Sequence, residues 1–162
     1  MATLTYLTGD ATAPVGEGPK LLAHVCNNRG GWGQGFVLAL SKMSPLPEEK
    51  YKAWARSTGN NLQLGKVQLV HISEDLTVAN LVAQDGYISR ENPTPLNYTA
   101  LRTCLEKIAT HESLAGYSVH MPRIGAGLGG GNWEAIEQII DKALVKAGID
   151  VTVYTLPKKE KD

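Results

Sequence analysis

Two glycine-rich segments hold most of the chemistry this chain could do. The first reads Asn27-Asn28-Arg29-Gly30-Gly31-Trp32-Gly33-Gln34-Gly35, with four glycines in the six positions 30–35. The second reads Ile124-Gly125-Ala126-Gly127-Leu128-Gly129-Gly130-Gly131. Glycine leaves the backbone bare, and bare N–H groups leading into a helix bind phosphate. A simple turn would need only about two such residues. Trp32 is costly to expose, so it either plugs the core or walls a ligand. A third segment, Gly9-Asp10-Ala11-Thr12, follows a β-rich run and offers a carboxylate acceptor. A carboxylate accepts a hydrogen bond from an exocyclic adenine amine more firmly than a hydroxyl does; an Asx-turn is the plainer use of Asp10.

The second segment satisfies G-x-G-x-x-G through Gly125, Gly127 and Gly130. That pattern alone is weak evidence for a dinucleotide fold. Too little chain follows to build the second half of such a site, and Asp150, the acidic residue downstream, stands at the start of a strand. Two glycine loops together fit another ligand better: each can wrap one phosphate of a diphosphate, with an organic group leaving at each side. No G-x-x-x-x-G-K-[ST] occurs in the chain, so the diphosphate would be held without that lysine, without a metal and without a cofactor.

Single residues offer less. His24 has an unperturbed pKa near neutrality, which suits acid–base work, although a lone histidine in LLAHVC also suits a core position. Asp85, beside Gln84 at a strand end, could orient a water or serve a turn. Arg29 could meet a terminal phosphate, and Arg123 could brace the loops. Cys26 is expected to pack rather than react, and His71, His111 and His120 lack metal-ligand spacing.

These residues need a scaffold, and its elements alternate. Strands are expected at Thr3–Thr8, Leu21–Cys26, Lys66–Ile72, Leu76–Gln84, Tyr117–Ile124 and Asp150–Leu156. Leu21–Cys26 is short and nearly all apolar, as a strand covered on both faces should be. Helices are expected around Phe36–Met43, from Pro47 to a stop at Gly59, from Asn97 to His111, and from an Asn132 cap through Ala147 to a stop at Gly148. Ser73-Glu74-Asp75 is short enough for a hairpin, and Gly86–Pro95 reads as a polar loop. The implied fold is one α/β domain with a mixed sheet and helices on both faces.

Composition narrows the partners. The 162 residues are 43% hydrophobic and 20% charged, with sixteen basic residues against sixteen acidic ones. Zero net charge and a single phenylalanine argue against a nucleic-acid grip by bulk charge or stacking. No apolar run spans a bilayer and the start does not resemble a secretory signal, so no membrane partner is expected. Two cysteines cannot form a disulfide framework and fit a reducing cytoplasm, the expected location.

The chain resembles a macrodomain, the ADP-ribose-binding module, from Thr3 to Leu156. The likeness rests on Gly9-Asp10, on His24-Val25-Cys26-Asn27 running into Gly31-Trp32-Gly33-Gln34-Gly35, on Met121-Pro122-Arg123-Ile124-Gly125-Ala126-Gly127-Leu128 before Trp133-Glu134, and on Val151–Leu156. It is most similar to the branch of terminal ADP-ribose protein glycohydrolases and ADP-ribose 1''-phosphate phosphatases. The resemblance implies a three-layer αβα sandwich around about six strands, filling residues 1–157 ahead of a flexible tail, 158–162. It implies Asp10 on the adenine amine with the Ala11 backbone beside it, and Asn27 and Asn28 near the distal ribose. Gly31, Trp32, Gly33, Gln34 and Gly35 would wrap the diphosphate from one side. Ile124, Gly125, Ala126, Gly127, Leu128 and Gly129 would close from the other. The branch's glycohydrolases use a lysine and an aspartate where this chain has Gln84 and Gly129; an amide cannot form the lysyl adduct, and glycine carries no acid. The resemblance therefore implies ADP-ribose or a derivative as ligand, with an ADP-ribosylated protein as a further partner. Hydrolysis at the distal ribose would be helped by His24, Gln84 or Asp85, and a non-catalytic reader is the alternative.

Overall fold

The structure, a computed structural model, describes residues 1–57, 59 and 61–157; the expected tail at 158–162 lies outside them. Among the described residues, six strands and four helices follow one another along the chain. They are β1 (Leu4–Thr8), β2 (Lys20–Asn27), α1 (Phe36–Met43), α2 (Leu46–Arg56), β3 (Val67–Ser73), β4 (Leu76–Gln84), α3 (Tyr98–Thr110), β5 (Ser118–Met121), α4 (Trp133–Ala143) and β6 (Val151–Thr155). The sheet order is β1-β6-β5-β2-β4-β3. Only β3 runs antiparallel, paired to β4 through the expected hairpin.

The period of two along the central strands sorts side chains into two cores. On one face, Leu21 and Ala23 of β2 and Ala79, Leu81 and Ala83 of β4 pack with Leu101, Leu105, Ile136 and Ile140 of α3 and α4. On the other, Leu22, Cys26, Val78 and Val82 pack with Leu40 and Tyr51 of α1 and α2. The result is the expected three-layer αβα sandwich with a mixed six-stranded sheet. Asn97 and Asn132 cap α3 and α4, accepting from the backbone N–H of Ala100 at 2.8 Å and of Ala135 at 3.2 Å.

Three boundaries differ from the sequence reading by more than one residue. β5 stops at Met121 rather than Ile124, because Pro122 has no N–H to give a ladder. α4 stops at Ala143 and continues as a short 3-10 turn, Val145–Ala147, before Gly148 takes φ 91°. α2 stops at Arg56, with Ser57 already extended, ahead of Gly59.

For the site, direction matters most. β1, β2, β4, β5 and β6 are mutually parallel, so their carboxyl ends share one rim. β2 and β5 are neighbours, yet β2 leads to α1 on one face and β5 to α4 on the other. Loops that part in this way leave a crevice at the sheet edge, where α/β folds bind ligands.

Candidate functional site

Both glycine segments line that crevice. One cavity of about 740 Å³ takes its walls from Gly31–Gly35 and from Gly125, Gly127, Leu128 and Gly129, a volume suited to a nucleotide-sized ligand. A second cavity is bounded by Asp10, Ala11, Tyr154 and Leu156 and shares Gly35, Phe36 and Pro122 with the first. The three loops singled out by sequence thus meet along one groove.

The backbone of this groove is unusually free. Among the described residues, no acceptor in the protein meets the N–H groups of Gly33, Gln34, Gly35 and Phe36, or those of Gly127, Leu128 and Gly129. Gly35, with φ 81° and no side chain to cap with, immediately precedes α1, so the helix's positive end is open to the groove. Glycine itself is needed here for different reasons. A Cβ at Gly129 would stand 2.6 Å from Gly125 O, and one at Gly131 would stand 2.6 Å from Leu96 Cδ2. Those two glycines serve loop packing. At Gly33 and Gly127 a Cβ would meet nothing within 4 Å, and neither residue has a positive φ. The fold asks for no glycine at either place, and the bare backbone leaves room there for a closely approaching ligand.

The first loop is held from behind. Asn27 Oδ1 accepts from Arg29 N at 2.8 Å and Gly31 N at 3.2 Å, and Asn27 Nδ2 donates to Gly31 O at 2.9 Å. Tyr51 Oη donates to Asn27 O at 2.6 Å. Trp32 is 7% exposed; its Nε1 donates to Ser41 Oγ at 2.8 Å, and its ring packs 5.4 Å from that of Tyr51. Trp32 therefore anchors the loop in the α1–α2 core while contributing to the cavity wall. Asp10 Oδ1 accepts from Thr12 N at 2.8 Å and Thr12 Oγ1 at 2.7 Å. That is the Asx-turn, and it leaves Oδ2 for a ligand in the second cavity.

The catalytic candidates divide. Gln84 lines the larger cavity; its Nε2 donates to Gly86 O at 3.1 Å, leaving Oε1 as an acceptor. His24 also borders that cavity but is 2% exposed, with Nε2 bonded to Asn80 Oδ1 and its ring 5.3 Å from that of Trp32. Burial pulls its pKa down to about 4, so the ring is neutral at pH 7, in the position of a core histidine. Asp85 lies off both cavity walls, and its Oδ1 accepts from Asn28 Nδ2 at 3.0 Å. Asn28 and Ala126 also lie off the walls, and the bond between Asn28 and Asp85 ties the start of the first glycine loop to the end of β4. Cys26 borders the cavity, and burial pushes its thiol pKa well up, so it stays protonated. Arg29 is absent from both walls. Arg123 reaches a wall, but its guanidinium lies 5.4 Å from the Tyr6 ring and 5.2 Å from the Trp133 ring, with Nε donating to Thr155 Oγ1 at 3.1 Å. Asp150 accepts from Thr3 N at 2.9 Å at the strands' amino end, away from the groove, which leaves nothing of a dinucleotide fingerprint. Tyr87, Ile88, Phe36 and Tyr154 also line the groove. Sequence reasoning missed Tyr87 and Ile88 because an apolar period marks core positions, not loop side chains, and it read Phe36 and Tyr154 only as parts of a helix and a strand.

No protein-family model matches the chain. A solved macrodomain protein from Streptomyces coelicolor is 43% identical, superposes with a TM-score of 0.81, and aligns over 94% of this chain and 99% of its own. This chain belongs to the macrodomain family. The yeast ADP-ribose 1''-phosphate phosphatase of Saccharomyces cerevisiae is 28% identical over 96% of this macrodomain and all of its own length (100%). The Chromodomain-helicase-DNA-binding protein 1-like of Mus musculus is 32% identical over 98% of this macrodomain, which spans only 18% of that longer protein.

Proposed function

We propose that this macrodomain binds ADP-ribose in the groove and hydrolyses a substituent at the distal ribose, either a protein ADP-ribosyl ester or a 1''-phosphate. The observation that carries the binding is the pair Gly33 and Gly127: glycines the fold does not require, facing each other's loops across a cavity lined with unpaired N–H groups. The wall of that cavity carries no carboxylate among the described residues, so nothing there repels a diphosphate. Adenine lies in the second cavity on Asp10, the diphosphate between the loops, and the distal ribose at the β4 end by Gln84.

Chemistry then rests on positioning. A water bonded to Gln84 Oε1 attacks C1''; the C1''–O bond breaks, and its electrons leave with a carboxylate or phosphate, each stable as an anion. The ligand's own diphosphate takes the water's proton. Loop N–H groups hold that diphosphate throughout. The name of the full-length yeast relative supports a substrate of this class. A non-catalytic reader is the second reading, favoured by the lack of lysine and carboxylate on the larger cavity's wall among the described residues.

The deciding experiment incubates the protein with glutamate-linked ADP-ribosyl protein and, separately, with ADP-ribose 1''-phosphate. Release of ADP-ribose from either, lost in Gly33→Glu, is the expected result. Tight ADP-ribose binding with neither substrate consumed establishes the reader instead.

A further inference from the structure

The segment 85–96 reads from sequence as a polar connection, yet it is tied to both glycine loops. At one end Asn28, where the first loop begins, donates to Asp85 Oδ1 at 3.0 Å and accepts from Gly86 N at 2.9 Å. At the other end Leu96 N donates to Gly129 O at 3.0 Å. Between them Asn92 Nδ2 donates to Asp85 O at 2.9 Å and Tyr87 O at 3.0 Å. Ser89 and Asn92 exchange backbone bonds at 3.0 and 3.1 Å. A loop bonded this thoroughly holds one shape, as a loop must if it is to aim a side chain.

The side chain it aims is Tyr87. The ring lies against Gly31, where a Cβ would stand 2.7 Å from Tyr87 Cε1. Gly31 has no positive φ, so its glycine makes room for this ring rather than for a backbone turn. The phenol oxygen has no hydrogen-bond partner among the described residues, and Tyr87 is 53% exposed although it lines the larger cavity. It is absent from the wall of the second cavity. A ring laid over one glycine loop, half in water, with an unused hydroxyl, is a contact awaiting its partner.

The geometry points to Tyr87 as the residue that reads the distal ribose, its ring packed on the sugar and its hydroxyl bonded to a ribose hydroxyl. This rests on the ADP-ribose reading, which sets adenine at Asp10 and so puts the other sugar at the β4 end. Nothing at Tyr87 meets the adenosine half.

ADP, which lacks the distal ribose, separates the two ideas. Calorimetry compares ADP-ribose and ADP on the wild type, Tyr87→Ala, Tyr87→Phe and Gly31→Ala, with thermal melts as the check on folding. Tyr87→Ala is expected to weaken ADP-ribose by about tenfold or more and ADP by less than about twofold. Tyr87→Phe, which keeps the ring, loses a smaller share for ADP-ribose, about three- to fivefold. Gly31→Ala, whose new methyl displaces the ring, is expected to weaken ADP-ribose by more than it weakens ADP. Equal losses for both ligands, or no loss, overturn the assignment while leaving the ADP-ribose reading intact. So does a wild type that binds ADP as tightly as ADP-ribose. A wild type that binds neither ligand ends the ADP-ribose reading and this assignment with it.

Discussion

Glycines that look alike in sequence do different work in the second loop and in the first. Gly130 has φ 67°, and its missing Cβ would collide with Pro93 O. Gly33 has open space and ordinary backbone. The two substitutions should therefore fail in opposite ways. Gly33→Glu is expected to abolish ADP-ribose binding, at least about a hundredfold by calorimetry, with a melting temperature near that of the wild type. Gly130→Ala should lower stability by more than about 1 kcal/mol in urea melts, because left-handed strain and a backbone clash add. That the two glycine clusters belong to one site was legible in the sequence; which of their glycines the fold itself requires was not, because it depends on what stands opposite each missing Cβ. His24 shows the same limit. LLAHVC correctly indicated a covered strand, but only the register beside Asn80 puts its ring in the α1–α2 core. Its folded pKa of about 4, set by burial, lies below an unfolded value near 6.5. His24 thus contributes stability fully above pH 6.5, and that stability is lost as pH falls toward 4, because the unfolded chain takes the proton first. The loss is on the order of 3 kcal/mol. Urea midpoints measured from pH 7.5 to 4.5 should fall, and they should fall less in His24→Gln. An equal fall in the variant would put the titrating group elsewhere, with His120, also lowered to about 4 by burial, the next to replace.

Helices and strands were the legible part of the fold, since apolar period and asparagine caps fix them locally. The connection 85–96 was not: its function lies in bonds to Asn28 and Gly129, residues remote in sequence. The same holds for Asp85, whose bond to Asn28, 57 positions away in the chain, no local pattern could show. Leu96 shows how this segment supports the second loop. It is 4% exposed, and its side chain fills the space left by Gly125 and Gly131. Leu96→Ala should cost about 2–5 kcal/mol by removing buried methyl groups. It should also weaken ADP-ribose binding further than any fold loss explains, because the loop N–H groups lose their backing. Urea melts and calorimetry on the same sample separate the two effects. Unchanged affinity in the folded fraction would mean that the second loop holds its shape without Leu96.

At the scale of the molecule, the parallel strands explain why one small ligand can touch so much of the chain. Every parallel strand ends at the same rim, so Asp10 after β1, the loops after β2, β4 and β5, and Leu156 after β6 come within one groove. A ligand long enough to fill both cavities ties together loops that leave opposite faces of the sheet, and it binds only the folded arrangement. Ligand at a hundred times its dissociation constant then adds about 2.7 kcal/mol to folding. For a chain of this size that is a rise of about 5–10 °C in melting temperature. ADP-ribose should produce such a rise. AMP, which reaches Asp10 but leaves the space between the two glycine loops largely empty, should produce far less at the same concentration. The comparison tests the groove as a whole: equal shifts would mean that the second cavity binds alone, and that the loops after β2 and β5 do not act together on a diphosphate.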